Sequence, residues 1–166
     1  MDKTQGARLV PTPYHTAVLA LLAAKGHLNM VVVGANDGRI NDPVYDLIRL
    51  VVKDRVSLTL IEPNRHLHPI LRKNYSFLPT VKVLGEAIGP PGQATLYAVK
   101  QSAWPDCQPA YATNWPLYRA PTGVTSGNRA FVEAWLRRHY RGPGSPADQI
   151  EAWTLPFQPL DVALKD

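Results

Sequence analysis

The stretch Met30-Val31-Val32-Val33-Gly34-Ala35-Asn36-Asp37-Gly38 constrains this chain more than any other. Its apolar start, with three consecutive valines, predicts a short buried strand, because valine is stiff at χ1 and suits a pleated surface. The run breaks at Gly34, and a second glycine stands at Gly38. Asn41-Asp42-Pro43 then supplies a cap and a first-turn proline for a helix over 43–53. Within it Val44, Leu47, Ile48, Val51 and Val52 recur at helical spacing and predict an apolar stripe against a sheet. A buried strand passing through a glycine bend into a helix is the first half of a nucleotide-binding α/β unit. Glycines let backbone approach a ligand, and a helix start offers unpaired N–H groups. The same turn joins strands to helices in proteins that bind nothing there, so the bend alone leaves binding open.

The next segment narrows the choice. Residues 56–61 (Val-Ser-Leu-Thr-Leu-Ile) alternate as a second strand ending on Glu62-Pro63-Asn64. An acidic residue at the end of the second strand, about 20 residues past the bend, stands where a ribose-binding carboxylate belongs. A carboxylate accepts two hydroxyl protons at once, which suits a vicinal diol. Taken singly, Glu62 reads as a solvated loop acid; after this bend, ribose binding is favoured.

These residues carry a family resemblance. Residues 33–38, then 61–64, Asn74, Ala87-Ile88-Gly89 and Ala94-Thr95-Leu96 resemble the ordered motifs of FkbM-type methyltransferases. That family comprises class I enzymes dependent on S-adenosylmethionine, mostly O-methyltransferases. The resemblance covers residues 30–98, and more weakly 149–161. It implies a Rossmann-like class I methyltransferase sheet, cut here to its first three βα units plus an irregular insertion. It implies that Gly34, Ala35, Asn36, Asp37 and Gly38 cradle the methionine part of the cofactor. Glu62 and Pro63 would lie at the ribose, with Glu86 and Ala87 near the adenine. The bend reads G-x-N-x-G and lacks the pyrophosphate fingerprint, which argues against NAD or FAD.

The 166 residues suit one domain with an ordinary core. A hydrophobic content of 45% with 19% charged residues is globular. No apolar run approaches the roughly 20 residues needed to span a bilayer. Residues 17–24 follow Pro11, Pro13 and His15 rather than a basic start, so no signal peptide is expected. The lone Cys107 excludes an internal disulfide and fits a reducing, cytoplasmic setting. A net charge of +5 is compatible with an anionic partner without requiring one.

Three regions are predicted: an N-terminal arm and helix (1–28), a cofactor-binding α/β core (29–99) and an irregular Pro/Trp/Arg-rich region (100–166). Residues 14–25 form a helix stopped by Gly26. A helix follows over 65–75, where Pro69 delays the start or adds a kink. His66 and His68 stand two apart and point to different helix faces, so they do not share a metal. Residues 81–84 form a third strand, and 94–99 a hairpin-like return after the turn at 89–92. Trp104, Tyr111, Trp115 and Tyr118 are expected to pack the long insertion down. One helix interrupts it, capped by Asn128, apolar at Phe131, Val132, Trp135 and Leu136, and basic at Arg129, Arg137 and Arg138. Such a helix is usually an amphipathic surface element; interleaved arginines and aromatics also suit an anionic or aromatic substrate. Residues 150–155 form a last strand.

The family resemblance would continue into an Asp-x-Glu-Gly-type motif and further strands, which this sequence lacks. The first strand would then be an apolar edge, a template for aggregation. Residues 94–99, residues 149–155 or a second copy of the chain would have to cover it, so a rearranged or self-associating half-sheet is expected. No nucleophile–base pair is assigned, since an aligned acceptor does most of the work against a sulfonium. Asp37, Asp42, His15 and His139 are the candidate bases. The leading function is S-adenosylmethionine-dependent transfer of methyl to a small-molecule or sugar hydroxyl. A non-catalytic binding or assembly module is second, and a nucleic-acid surface on the basic helix ranks last.

Overall fold

A computed structural model describes residues 12–165. Of the expected N-terminal arm, residues 1–11 lie outside the described residues, as does residue 166. The chain divides into two units, Met1–Gly85 and Glu86–Asp166. The boundary falls well before the expected 99, because the strands within 87–99 pair with the last strand of the chain rather than with the first sheet.

In the first unit, α1 (Pro13–Lys25) begins with a reciprocal cap. The Thr12 hydroxyl accepts the His15 N–H at 3.3 Å, and His15 Nδ1 accepts the Thr12 N–H at 3.2 Å. Gly26 ends the helix at φ 76°, its N–H donating to Leu22 O at 2.8 Å. β1 (Leu28–Val33), β2 (Val56–Ile61) and β3 (Val81–Leu84) then form a parallel sheet in the order β1-β2-β3. Between β1 and β2 lies α2 (Tyr45–Leu47), running on as a π turn (Ile48–Val52) and a 3-10 turn (Lys53–Arg55). Between β2 and β3, a 3-10 turn (Arg65–Leu67) leads into α3 (His68–Asn74). Pro69 sits in the first turn of α3, where its missing N–H costs nothing, so it delays the α-helix as expected.

One face of this sheet makes the core. Leu28, Met30 and Val32 stand in register with Val56, Leu58 and Leu60, and all pack with Val18, Leu22, Leu47, Ile48, Val52, Leu71 and Tyr75. Each fully buried aliphatic contributes about 1.5–3 kcal/mol of transfer free energy. The alternate residues Asn29, Val31, Val33, Ser57 and Lys82 are exposed.

Two expectations are corrected here. Val51 is 44% exposed, outside the predicted stripe. The π turn winds more residues per turn than an α-helix, so the position that returns to the core after Ile48 is Val52, four residues on. Nor is β1 a buried strand. It lies at the sheet edge, and Val31 and Val33 are 37% and 51% exposed. Neither 94–99 nor 149–155 joins its sheet, because those segments pair with each other in a second sheet.

The second unit builds its own three-stranded sheet, where the sequence predicts an irregular insertion with a strand at either end. β4 (Ala87–Ile88) and β5 (Gly92–Val99) do not pair as a hairpin. Both flank β6 (Ile150–Gln158), β4 parallel and β5 antiparallel from Gly92↔Phe157 to Val99↔Ile150. The intervening chain carries 3-10 turns (Gln101–Asp106, Ala110–Ala112), a short α4 (Arg119–Thr122) and α5 (Arg129–His139). A 3-10 turn (Pro146–Gln149) precedes β6, and α6 (Leu160–Ala163) follows it. Asn128 caps α5 as predicted, its Oδ1 accepting the N–H of Ala130 and Phe131. Val132 and Leu136 bury that helix against Val99, Trp104, Cys107 and Tyr140. Trp104 packs down as expected, its indole donating to Val99 O at 3.1 Å, whereas Tyr111 stays 60% exposed.

Candidate functional site

The carboxyl ends of β1 and β2 hold the predicted bend and the predicted acid together. Glu62, 7% exposed, directs both carboxylate oxygens at backbone: Oε2 accepts the Asn36 N–H and Oε1 the Asn64 N–H, each at 2.8 Å. Bonds from N–H groups to a charged carboxylate are about twice as strong as neutral ones, so Glu62 ties the bend after β1 to the turn after β2. The Glu62 carbonyl accepts from His68 Nε2 at 2.7 Å, which fixes the start of α3 against the same corner. Pro63 is half-buried between Glu62 and Asn64, whose side chain caps the 3-10 turn by accepting the His66 N–H.

The bend itself is built from left-handed residues. Gly34, Asn36 and Gly38 have φ of 69°, 49° and 64°, in the region open to glycine and tolerated by asparagine. The two glycines differ in purpose. A Cβ on Gly34 would meet nothing within 4 Å, so that position faces open space. A Cβ on Gly38 would lie 2.6 Å from Tyr75 Cε2 and 2.8 Å from Leu71 Cδ2. Gly38 is therefore there for close packing of α3, the role of the last glycine in a nucleotide-binding turn.

Every backbone amide from Gly34 to Ile40 donates inside the protein. Gly34 and Ala35 donate to Ile61 O at 2.9 and 3.1 Å, and Asn36 to Glu62. Asp37 donates to Asn36 Oδ1 and Gly38 to Ala35 O, both at 2.8 Å. Arg39 and Ile40 share Asp37 Oδ1 at 3.2 Å. Ala35 and Asp37 are buried, and Asn74 Nδ2 clamps the Asp37 carbonyl at 2.7 Å. The expected cradle of outward amides is thus turned inward: the bend organises itself, and a ligand there would meet Gly34 and carbonyl or carboxylate acceptors.

The candidate bases separate in the same way. His15 is buried with both ring nitrogens engaged: Nδ1 accepts from Thr12, so Nε2 carries the proton and donates to Pro43 O at 2.9 Å. Asp42 Oδ1 accepts the N–H of Val44 and Tyr45, and Asp37 closes its own turn. All three bond backbone groups. His139 belongs to the second unit, as do Glu86 and Ala87. Ala87 opens β4 opposite Phe157, and Glu86 Oε2 is buried without a hydrogen-bond partner among the described residues. The role of His68 carried no sequence signal, because it reaches a main-chain carbonyl, whereas Asn64 stands in the 61–64 stretch and serves through both its amide and its side chain.

Among the described residues no group of three or more His, Cys, Asp or Glu is placed to hold a metal, and no helix is long and apolar enough to cross a membrane. No family model, curated protein or solved structure matches this chain.

Proposed function

We propose that the first unit is the nucleoside-binding half of a Rossmann-like class I methyltransferase sheet, taking S-adenosylmethionine and serving methyl transfer to a small-molecule or sugar hydroxyl. One observation carries this reading: a buried acid at the end of β2, bonded to the bend after β1, in a parallel sheet of order β1-β2-β3. Ligands of open α/β sheets lie outside the carboxyl ends of the strands. A carboxylate at this place suits a vicinal diol, because it accepts two hydroxyl protons at once. Gly34 offers the open side on which a methionine chain would rest. A cytoplasmic setting goes with this reading, the single cysteine being buried and unpaired by disulfide.

A second reading is a non-catalytic binding or assembly module of the same ancestry, and the inward amides of the bend favour it. Calorimetry with S-adenosylhomocysteine tests both against a ligand-free scaffold. Micromolar binding that Glu62→Ala weakens at least tenfold, in a variant that stays folded, supports the first reading. Heat of binding absent at millimolar ligand leaves a ligand-free scaffold, and where binding is found a methyl-transfer assay separates the enzyme from the module.

A further inference from the structure

The second unit carries an aromatic cluster that the first unit's chemistry does not use. Tyr111 is its hub and is 60% exposed. Its hydroxyl accepts from Trp135 Nε1 at 3.1 Å. Its ring meets Trp115 at 5.9 Å and 77° and His139 at 5.9 Å and 87°, both T-shaped. Trp135 and His139 lie 5.0 Å apart at 50°. These contacts hold the Tyr111 ring in place while leaving much of it in water, the arrangement of a preformed stacking surface.

The charge around the cluster is net positive, with Arg129, Arg137, Arg138 and Arg141 against the two acids Glu133 and Asp106. Arg137 and Arg129 both pair with the single carboxylate of Glu133. Arg141 instead donates to the carbonyls of Tyr140 and Arg138, which fixes its guanidinium without cancelling its charge. Arg138 forms no ion pair among the described residues. Burial, with Arg141 and Arg138 nearby, lowers the His139 pKa below its ordinary value, so the ring is a neutral aromatic at pH 7. A ligand that gains from both features is flat and anionic. We propose that Tyr111, Trp135 and His139, flanked by Arg138 and Arg141, form a stacking site for a nucleotide, a planar base carrying phosphate, free or within a single strand. Aromatic faces with neighbouring guanidiniums are the recurrent means of holding unpaired bases. This site is independent of the reading given to the first unit.

The test is fluorescence anisotropy of a fluorescein-labelled oligothymidylate with the full chain at low salt, competed by AMP and by inorganic phosphate. Tyr111→Ala weakens binding by about 5- to 150-fold, the range for losing one stacked base, while Tyr111→Phe keeps it within about twofold. Arg138→Gln lowers the slope of log affinity against log salt by about 0.7, one phosphate contact on a single strand. Competition by AMP at its own affinity assigns the site to free nucleotides, and competition by oligonucleotide alone assigns it to a strand. The proposal is overturned if neither binds, if Tyr111→Ala binds like the parent, or if inorganic phosphate competes as well as AMP. Because Tyr111 is an exposed side chain, circular dichroism of Tyr111→Ala is expected to match the parent.

Discussion

Replacing each glycine of the bend by alanine separates packing from ligand access. Both residues have positive φ, so alanine costs about 1–2 kcal/mol at either from the left-handed backbone alone. At Gly34 nothing else is added, since the new methyl group meets open space. At Gly38 the methyl group would intrude on Tyr75 and Leu71, both fully buried. Tyr75 cannot swing aside, because Tyr45 and Phe77 pack on it with ring centroids at 5.3 and 5.8 Å. Overpacking of this kind costs about 1–3 kcal/mol more. Gly38→Ala is therefore predicted to lose about 2–5 kcal/mol and Gly34→Ala about 1–2 kcal/mol. Urea unfolding followed by far-UV circular dichroism measures both, with the midpoint shift converted through a common m-value. Tryptophan emission arises wholly in the second unit, from Trp104, Trp115, Trp135 and Trp153, and so reports that unit separately. Equal losses for the two variants would refute the division of labour between these glycines. So would a Gly38→Ala protein as stable as the parent.

Three further outcomes are expected. The Tyr75 hydroxyl is buried without a hydrogen-bond partner among the described residues, so Tyr75→Phe should raise stability by about 1 kcal/mol in the same urea assay; a clear loss would mean that a bound water satisfies it. His139 should titrate by NMR below its ordinary 6.5, because burial and then Arg141 and Arg138 disfavour the cation. A lowered folded pKa means that the unfolded chain binds the proton more readily, so this contribution is full above about pH 6.5 and is lost as pH falls through the folded value; a midpoint at or above 6.5, or no rise in Arg141→Gln, contradicts it. The uncharged edge strand β1 should self-associate at high concentration, and Val31→Lys should shift sedimentation toward monomer, whereas a parent that stays monomeric at millimolar concentration argues that the edge is inert.

Legibility followed the range of the forces involved. β2 and β3 have the bounds that alternation and flanking Pro63 and Gly85 imply, because strand period and chain breakers are local. Asn128 caps α5, and Asp42 accepts the Val44 and Tyr45 amides ahead of α2, as side-chain chemistry implies, whereas the Thr12 cap of α1 was hidden because His15 stands where an acid is usual. The second sheet was illegible for the opposite reason. Pairing β5 with β6 joins Gly92 to Phe157 across a proline-rich stretch, and nothing local to either strand specifies its partner. The π turn was equally silent, since Val51 and Val52 are interchangeable in composition and only the winding decides which is buried. At the site, residue positions could be read but the direction of the amides could not. Whether a glycine bend offers N–H groups outward depends on acceptors such as Ile61 O and Glu62, which arrive from another strand.

The two departures at the first unit bear on one another. A parallel sheet normally has both faces covered and its strands flanked, because its edges and alternate faces are apolar. Here β1 is an edge, and Val31 and Val33 are partly in water, next to the bend whose amides are all engaged. An outward amide at the carboxyl end of an edge strand would be as open to a stray partner strand as to a ligand. Turning each one inward, with Glu62 as the anchor, closes this end of the sheet. Asn36 makes the same point in miniature: its left-handed backbone presents its amide to Glu62 and its own side chain to Asp37 N–H. A ligand of this unit would then be selected by the carboxylate and by the space over Gly34 rather than by an anion-binding nest. That favours a neutral diol and a cationic sulfonium over any phosphate at this end of the sheet. The predicted contrast between the units follows: inorganic phosphate should not compete at the first unit and should compete less well than AMP at the second, with a sulfonium nucleoside held through Glu62 in the first and a stacked base through Tyr111 in the second.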